Sequence, residues 1–153
     1  MVRKRKDNLT SLVAGIYEAA VDGALWTEMA ARITRSAGAQ RYALAPILPL
    51  ESPPLPVTVH PDVAGPLRAF YTLDVSNPFT KAVTAPHVKE GDVVTRNMLI
   101  DEKTWRKSDV YNVVVHPADL DEMAVLAVRC DPHDIADRTF LALFRDAGLL
   151  PFA

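Results

Sequence analysis

Two apolar runs near the C-terminus, residues 122–130 (EMAVLAVRC) and 139–145 (TFLALFR), constrain the fold of this chain more than any other feature. Between them lies DPHDIAD, a polar connection dense in turn formers, so the runs read as a pair of antiparallel strands. Along the first run Met123, Val125 and Ala127 project to one side, and Ala124, Leu126 and Val128 to the other. Both sides are apolar and neither suits water, which places the pair centrally in a sheet with helices on each face. The expected architecture is α+β: an α-β-α layered domain with a mostly antiparallel sheet.

The 153 residues suffice for one domain with a core that needs no covalent staples. Residues 1–8 are expected to be a basic flexible tail and residues 9–153 a single domain. Arg3, Lys4, Arg5 and Lys6 against Asp7 give the tail a net charge of +3, so the rest carries −5 of the total of −2. Nucleic-acid binding draws most of its affinity from Lys and Arg on phosphates, and the body of the chain lacks that surplus. No apolar run approaches the ~20 residues that span a bilayer. The single cysteine, Cys130, rules out an internal disulfide and fits a reducing, cytoplasmic setting.

Asn8 is a suitable N-cap for a helix to about Val21, in which Leu9, Leu12, Val13, Ile16 and Ala20 recur on one face. A second helix runs from Leu25 to Gly38 with Leu25, Met29 and Ile33 in a stripe, completing a helical hairpin that carries Trp26. Residues 41–48 read as a strand that Pro46 and Pro49 confine to an edge or end early. Pro53, Pro54 and Pro56 stiffen the next loop, and a short strand follows at residues 57–59. Residues 62–73 read as a helix with Val63, Leu67, Phe70 and Tyr71 inward, provided that Pro66 falls in its first turn. Asn77-Pro78 opens a helical turn, Glu90-Gly91-Asp92 is a turn, and residues 93–96 form a brief strand. A helix capped by Asp101 runs to His116, where Pro117 stops it.

Chemistry-bearing signatures are absent from the sequence. His60, His87, His116 and His133 have no metal-ligand partner at helical spacing, and no HExxH or CxxC occurs. No serine sits in Gly-x-Ser-x-Gly, no Gly-x-Gly is available to cradle a phosphate, and Cys130 at a strand end reads as a small hydrophobe. The expectation is a non-catalytic chain without metal or cofactor. The aromatic residues point elsewhere. On one continuous helix Trp105, Ser108, Tyr111, Asn112 and Val115 share about a third of the circumference. Large rings mixed with a hydroxyl and an amide suit the wall of a small-molecule pocket, and they also suit a core that satisfies its own polar atoms. Phe70, Tyr71, Asp74 and Phe79 form a second candidate wall, with Tyr42 and Met123 on the strands completing the set.

Four segments together resemble the N-terminal, PAS/GAF-like sensor region of LuxR-type helix-turn-helix regulators. These are IYEAAVDGALWTEMAARITRSAGA, SDVYNVVVHPADL, MAVLAVRCDP and FLALFRDAGLLPF. The resemblance implies a helix pair leading into a sheet, a ligand held between sheet and helices, and homodimers formed through the helices. It implies DNA contact only through a helix-turn-helix half that this chain lacks, since it stops at Pro151-Phe152-Ala153. The lactone-binding branch of that family carries a Trp-x-x-x-Tyr pair followed by Asp-Pro. Here Phe70-Tyr71 lacks the tryptophan, Asn77-Pro78 stands in the place of Asp-Pro, and the Pro-rich stretch 46–56 is unusual. The expected guest is therefore a small apolar or amphipathic molecule of another class. The alternative is an interaction or dimerisation module whose core is filled by its own side chains.

Overall fold

The structure, a computed structural model, describes residues 9–49, 57–146, 148 and 152. The basic tail and the prolines at 53, 54 and 56 lie outside the described residues. The described strands are β1 (Arg41–Pro46), β2 (Thr58–Val59), β3 (Val93–Thr95), β4 (Leu120–Cys130) and β5 (Arg138–Asp146). They form one five-stranded sheet in the order β2-β1-β5-β4-β3, antiparallel at every pairing. The C-terminal pair is central, as its two apolar faces require, and β5 is the middle strand. Pro46 ends β1 opposite Thr139, and the amide of the next residue, Ile47, donates to the Arg138 carbonyl at 2.9 Å, so β1 sits between β2 and β5 despite the proline.

Helices cover both faces. On one lie α1 (Leu9–Val21) and α2 (Trp26–Ser36), joined through a 3-10 turn that Asp22 caps. Of the two, α2 packs on Tyr42, Leu44, Leu141 and Leu143, and α1 lies against α2. The other face carries α3 (Ala64–Phe70), α4 (Pro78–Val83), α5 (Arg96–Leu99), α6 (Glu102–Lys107) and a π-helical turn, Val110–Val115. These enclose the larger core, which includes Phe79, Trp105, Met123, Val125, Phe140 and Phe144. Asp119, at φ 55°, swings the chain from the last helical turn into β4. A short polar side chain tolerates that left-handed backbone better than a branched one does.

Two expectations are corrected. The helix drawn from Asp101 to His116 is broken at Ser108, whose backbone is extended (φ −74°, ψ 150°). Ser108 Oγ donates to the Trp105 carbonyl at 2.7 Å and accepts from the Tyr111 amide at 3.2 Å. It ends one helix and starts the next, the local bonding that makes serine a poor residue for a helix interior. The face of α1 is the second correction. Gly15 and Ala19 are its buried residues, while Leu9 is 77% exposed, Val13 42%, Ile16 38%, Tyr17 72% and Val21 92%. A Cβ at Gly15 would stand 2.7 Å from the Met29 sulfur and 2.8 Å from Arg32 Nη1. The absence of a side chain therefore sets the approach of the two helices. With the small residues chosen for that contact, the large apolar stripe is left facing outward. Full burial of each such side chain is worth about 1.5–3 kcal/mol, so the stripe leaves substantial apolar free energy unspent in the single chain.

Candidate functional site

Strand register builds the floor of an apolar hollow. Met123 pairs with Phe144, Val125 with Ala142 and Ala127 with Phe140, which puts all six on the face opposite α1 and α2. Ala142, between Phe140 and Phe144 along β5, is the smallest side chain of the lining and leaves a gap under the helices. The roof consists of Pro66, Leu67 and Phe70 from α3 with Val110, Val114 and Val115 of the π turn, and Phe79 and Val83 from α4 close one side. The hollow measures about 80 Å³, and every described residue lining it is apolar. Over the seam between α3 and the π turn lies a shallow surface cleft that shares Pro66 and Val114 with the cavity.

Five of the six aromatic candidates, all but Tyr42, come together. Their rings form one continuous chain. It runs from Tyr71 to Phe70 (6.0 Å between centroids), to Phe79 (6.1 Å), to Trp105 (6.1 Å), to Tyr111 (5.9 Å) and to His116 (5.5 Å). Of the ten candidates Phe70, Phe79 and Met123 line the cavity. Trp105, 1% exposed, is packed solid beneath, with the Arg96 guanidinium 5.8 Å from its ring centre. Tyr42 points to the other face of the sheet, edge-on to His60. Asp74 is exposed and accepts from the Ser76 amide at 2.7 Å, a bond that holds its carboxyl below the usual range.

The remaining polar candidates bond within their own segments. Ser108 is the cap described above. Asn112 Nδ2 donates to the carbonyls of Arg106 and Ser108, at 3.0 and 2.9 Å. Tyr111 Oη accepts from Arg106 Nη1 at 2.7 Å, and the guanidinium lies 5.2 Å from its ring centre. Tyr71 borders a small hollow next to the cavity, together with Asn77 and Thr80. Its hydroxyl donates to the Pro46 carbonyl at 2.8 Å, and burial pushes its pKa up to about 12. Asn77 caps α4 by accepting from the Thr80 amide at 2.9 Å, and donates to the Asp74 carbonyl. A polar ligand head would find these donors already engaged.

Of the π-turn valines in the lining, Val115 was on the arc read from the sequence, while Val110, Val114, Leu120 and the β5 residues Phe140, Ala142 and Phe144 were missed. The alternation of β5, read in phase with Met123 and Val125 across the hairpin, was the available signal. Among the described residues no three His, Cys, Asp or Glu side chains come close enough to share a metal ion. Burial raises the pKa of the Cys130 thiol, which keeps it protonated and a weak nucleophile. No described helix is long and apolar enough to cross a membrane. Comparison of the chain with family models, with curated proteins and with solved structures gave no match.

Proposed function

We propose that this chain is a non-catalytic, small-molecule-sensing regulatory domain of the LuxR type, working in the cytoplasm. Its ligand is a small apolar molecule held between the sheet and the roof of α3 and the π turn. The wholly apolar cavity carries the reading. The helix-covered antiparallel sheet is compatible with the PAS/GAF-like resemblance, and the acidic balance of residues 9–153 supports leaving DNA contact to a separate half. At about 80 Å³ the hollow has roughly half the volume of an engineered cavity of about 150 Å³ that admits benzene. Entry therefore requires α3 and the π turn to part, and a ligand that binds only the parted arrangement draws the population toward it. Such a shift is what a regulator transmits.

The test is thermal unfolding with benzene, indole, and alkyl acids and amides of medium chain length. A ligand at 100 times its Kd adds about 2.7 kcal/mol, or about 5–11 °C in Tm for a chain of this size. A Tm that stays flat across all four classes refutes the proposal. The satisfied hydrogen bonds of Tyr71, Ser108 and Asn112 and the packing of Trp105 favour the second reading, an interaction module with a self-filled core. That flat response is the result it requires.

A further inference from the structure

The sheet face that carries α2 is covered unevenly. Helix α2 lies over β1 and β5, on Tyr42, Leu44, Leu141 and Leu143, while α1 lies against α2. Leu126 and Val128 of β4 belong to the same face and are only half-buried. The result is a groove of about 280 Å³ between these two residues, Trp26 and Ile33 of α2, and Ile16 of α1. An irregularity of β4 shapes its floor. Ala127 pairs with Phe140 and Arg129 with Thr139, so Val128 is the extra residue of a bulge, a feature over-represented beside functional sites.

The rim carries a charge. Glu90 precedes Gly91, whose φ of 88° belongs to a tight turn that a side chain would strain. The Gly91 amide donates to the Ala127 carbonyl at 2.8 Å, and the Ala127 amide donates to the Asp92 carbonyl at 2.9 Å, which ties the turn to β4. The exposed Glu90 is thereby fixed at the mouth of the groove, and it is the only charged residue among the described residues that line it. Arg129, the cation next to Val128, is held by both oxygens of Asp137 at 2.6 and 2.7 Å. Glu90 enters none of the ion pairs of the described residues. An apolar trough with a tryptophan in its wall and one unpaired carboxylate at its rim has the chemistry that recognises an ammonium on a hydrocarbon body. We propose that the groove binds a small organic amine, its body lying on Trp26, Ile33, Leu126 and Val128 and its ammonium facing Glu90. The space is nearly twice that of a cavity of about 150 Å³ that admits benzene, so it takes a phenylalkyl body. This site is on the opposite side of the sheet from the apolar cavity and stands whether or not that cavity takes a ligand.

The probe is phenylbutylamine, with phenylbutyrate and phenylbutanol as its anionic and neutral matches. Binding is read on the full chain from the two indole N–H signals in nitrogen-15 spectra, that of Trp26 being assigned with Trp26→Phe. The amine is expected to move the Trp26 signal with a Kd below about 1 mM. Trp105, packed on the far side of the sheet, is expected to stay in place. Glu90→Gln should weaken the amine about threefold to fivefold, the worth of an exposed charge pair, and Glu90→Lys should reverse the preference between amine and acid. Ile16→Arg, at an exposed position on the edge of the groove, should remove the Trp26 response with the circular dichroism spectrum unchanged. Ala142→Val, on the cavity floor, should leave that response intact. A Trp26 signal that stays still up to about 10 mM amine, or a Trp105 signal that moves instead, overturns the site. Equal binding of amine, alcohol and acid, or no reversal in Glu90→Lys, overturns the assignment to an amine. A Trp26 signal that moves on diluting the protein without amine shows that a second copy fills the groove, and this also overturns the proposal.

Discussion

Ala142→Val tests whether the space above β5 is hollow, on which the ligand proposal depends. Ala142 lies on the cavity floor opposite Val125, and valine adds two methyl groups directed at the gap. A cavity of 80 Å³ costs at most about 2 kcal/mol at roughly 24 cal/mol per Å³. Two methyl groups gain about 1.6 kcal/mol at ~0.8 each when they enter empty space. The expected result is a stabilisation of about 1–1.5 kcal/mol, or roughly 2–6 °C in Tm. Urea unfolding followed by circular dichroism measures it as a raised midpoint with an unchanged slope. Part of any gain reflects the preference of strands for branched side chains, so Ala127→Val is the control. Ala127 is 1% exposed on the same sheet face and does not line the cavity, and overpacking there should cost about 1–3 kcal/mol. If Ala142→Val destabilises as much as Ala127→Val, the space is closed and the reasoning fails. If it stabilises, the same variant should also lose any thermal response to ligand.

Trp105→Ala should cost about 3–5 kcal/mol in urea unfolding, the range for a fully buried large aromatic; a loss under about 1 kcal/mol would mean the indole is not packed as described. Arg96, buried between Glu102 at 2.7 Å and Glu122 at 3.6 Å, should lose about 3 kcal/mol as Arg96→Met, since Glu122 is then left buried without its cation. Adding Glu122→Gln should recover most of that loss, and no recovery would show that the pair is not coupled. Tyr71 is an acid whose pKa is raised on folding, so its contribution is fully present below pH 10 and is lost as pH rises toward 12. Unfolding free energy measured between pH 9 and 12 should fall less steeply in Tyr71→Phe than in the wild type, and parallel profiles would remove Tyr71 from that transition.

The sheet was legible because its central strands are apolar on both sides and because turn residues separate them. Asn77 and Asp101 could be read as helix caps, and each accepts from the amide three residues on. The location of the hollow was harder to read. With both faces of β4 apolar, alternation shows that two faces exist but not which one encloses space. Tyr42 was chosen on the same footing as Met123 and lies on the opposite side. The break at Ser108 depends on one hydroxyl bonding within four residues, which an average of helical periodicity does not register. In α1 the spacing identified the apolar face correctly as a face. It gave no sign that glycine and alanine, rather than leucine and isoleucine, would meet α2.

The bare α-carbon of Gly15 has an effect that reaches beyond the hairpin it closes. Because the Met29 sulfur and the Arg32 guanidinium occupy the space a methyl would need, one added carbon must lift α1 off its seat or push both side chains aside. Thirteen residues of helix form a rod about 20 Å long, and lifting a rod at its middle tilts everything mounted on it. The direction in which the exposed apolar stripe of α1 points is then governed by a residue on the opposite side of the helix. A hydrogen atom on the inner side of the helix serves as the shim that aims everything on its outer side.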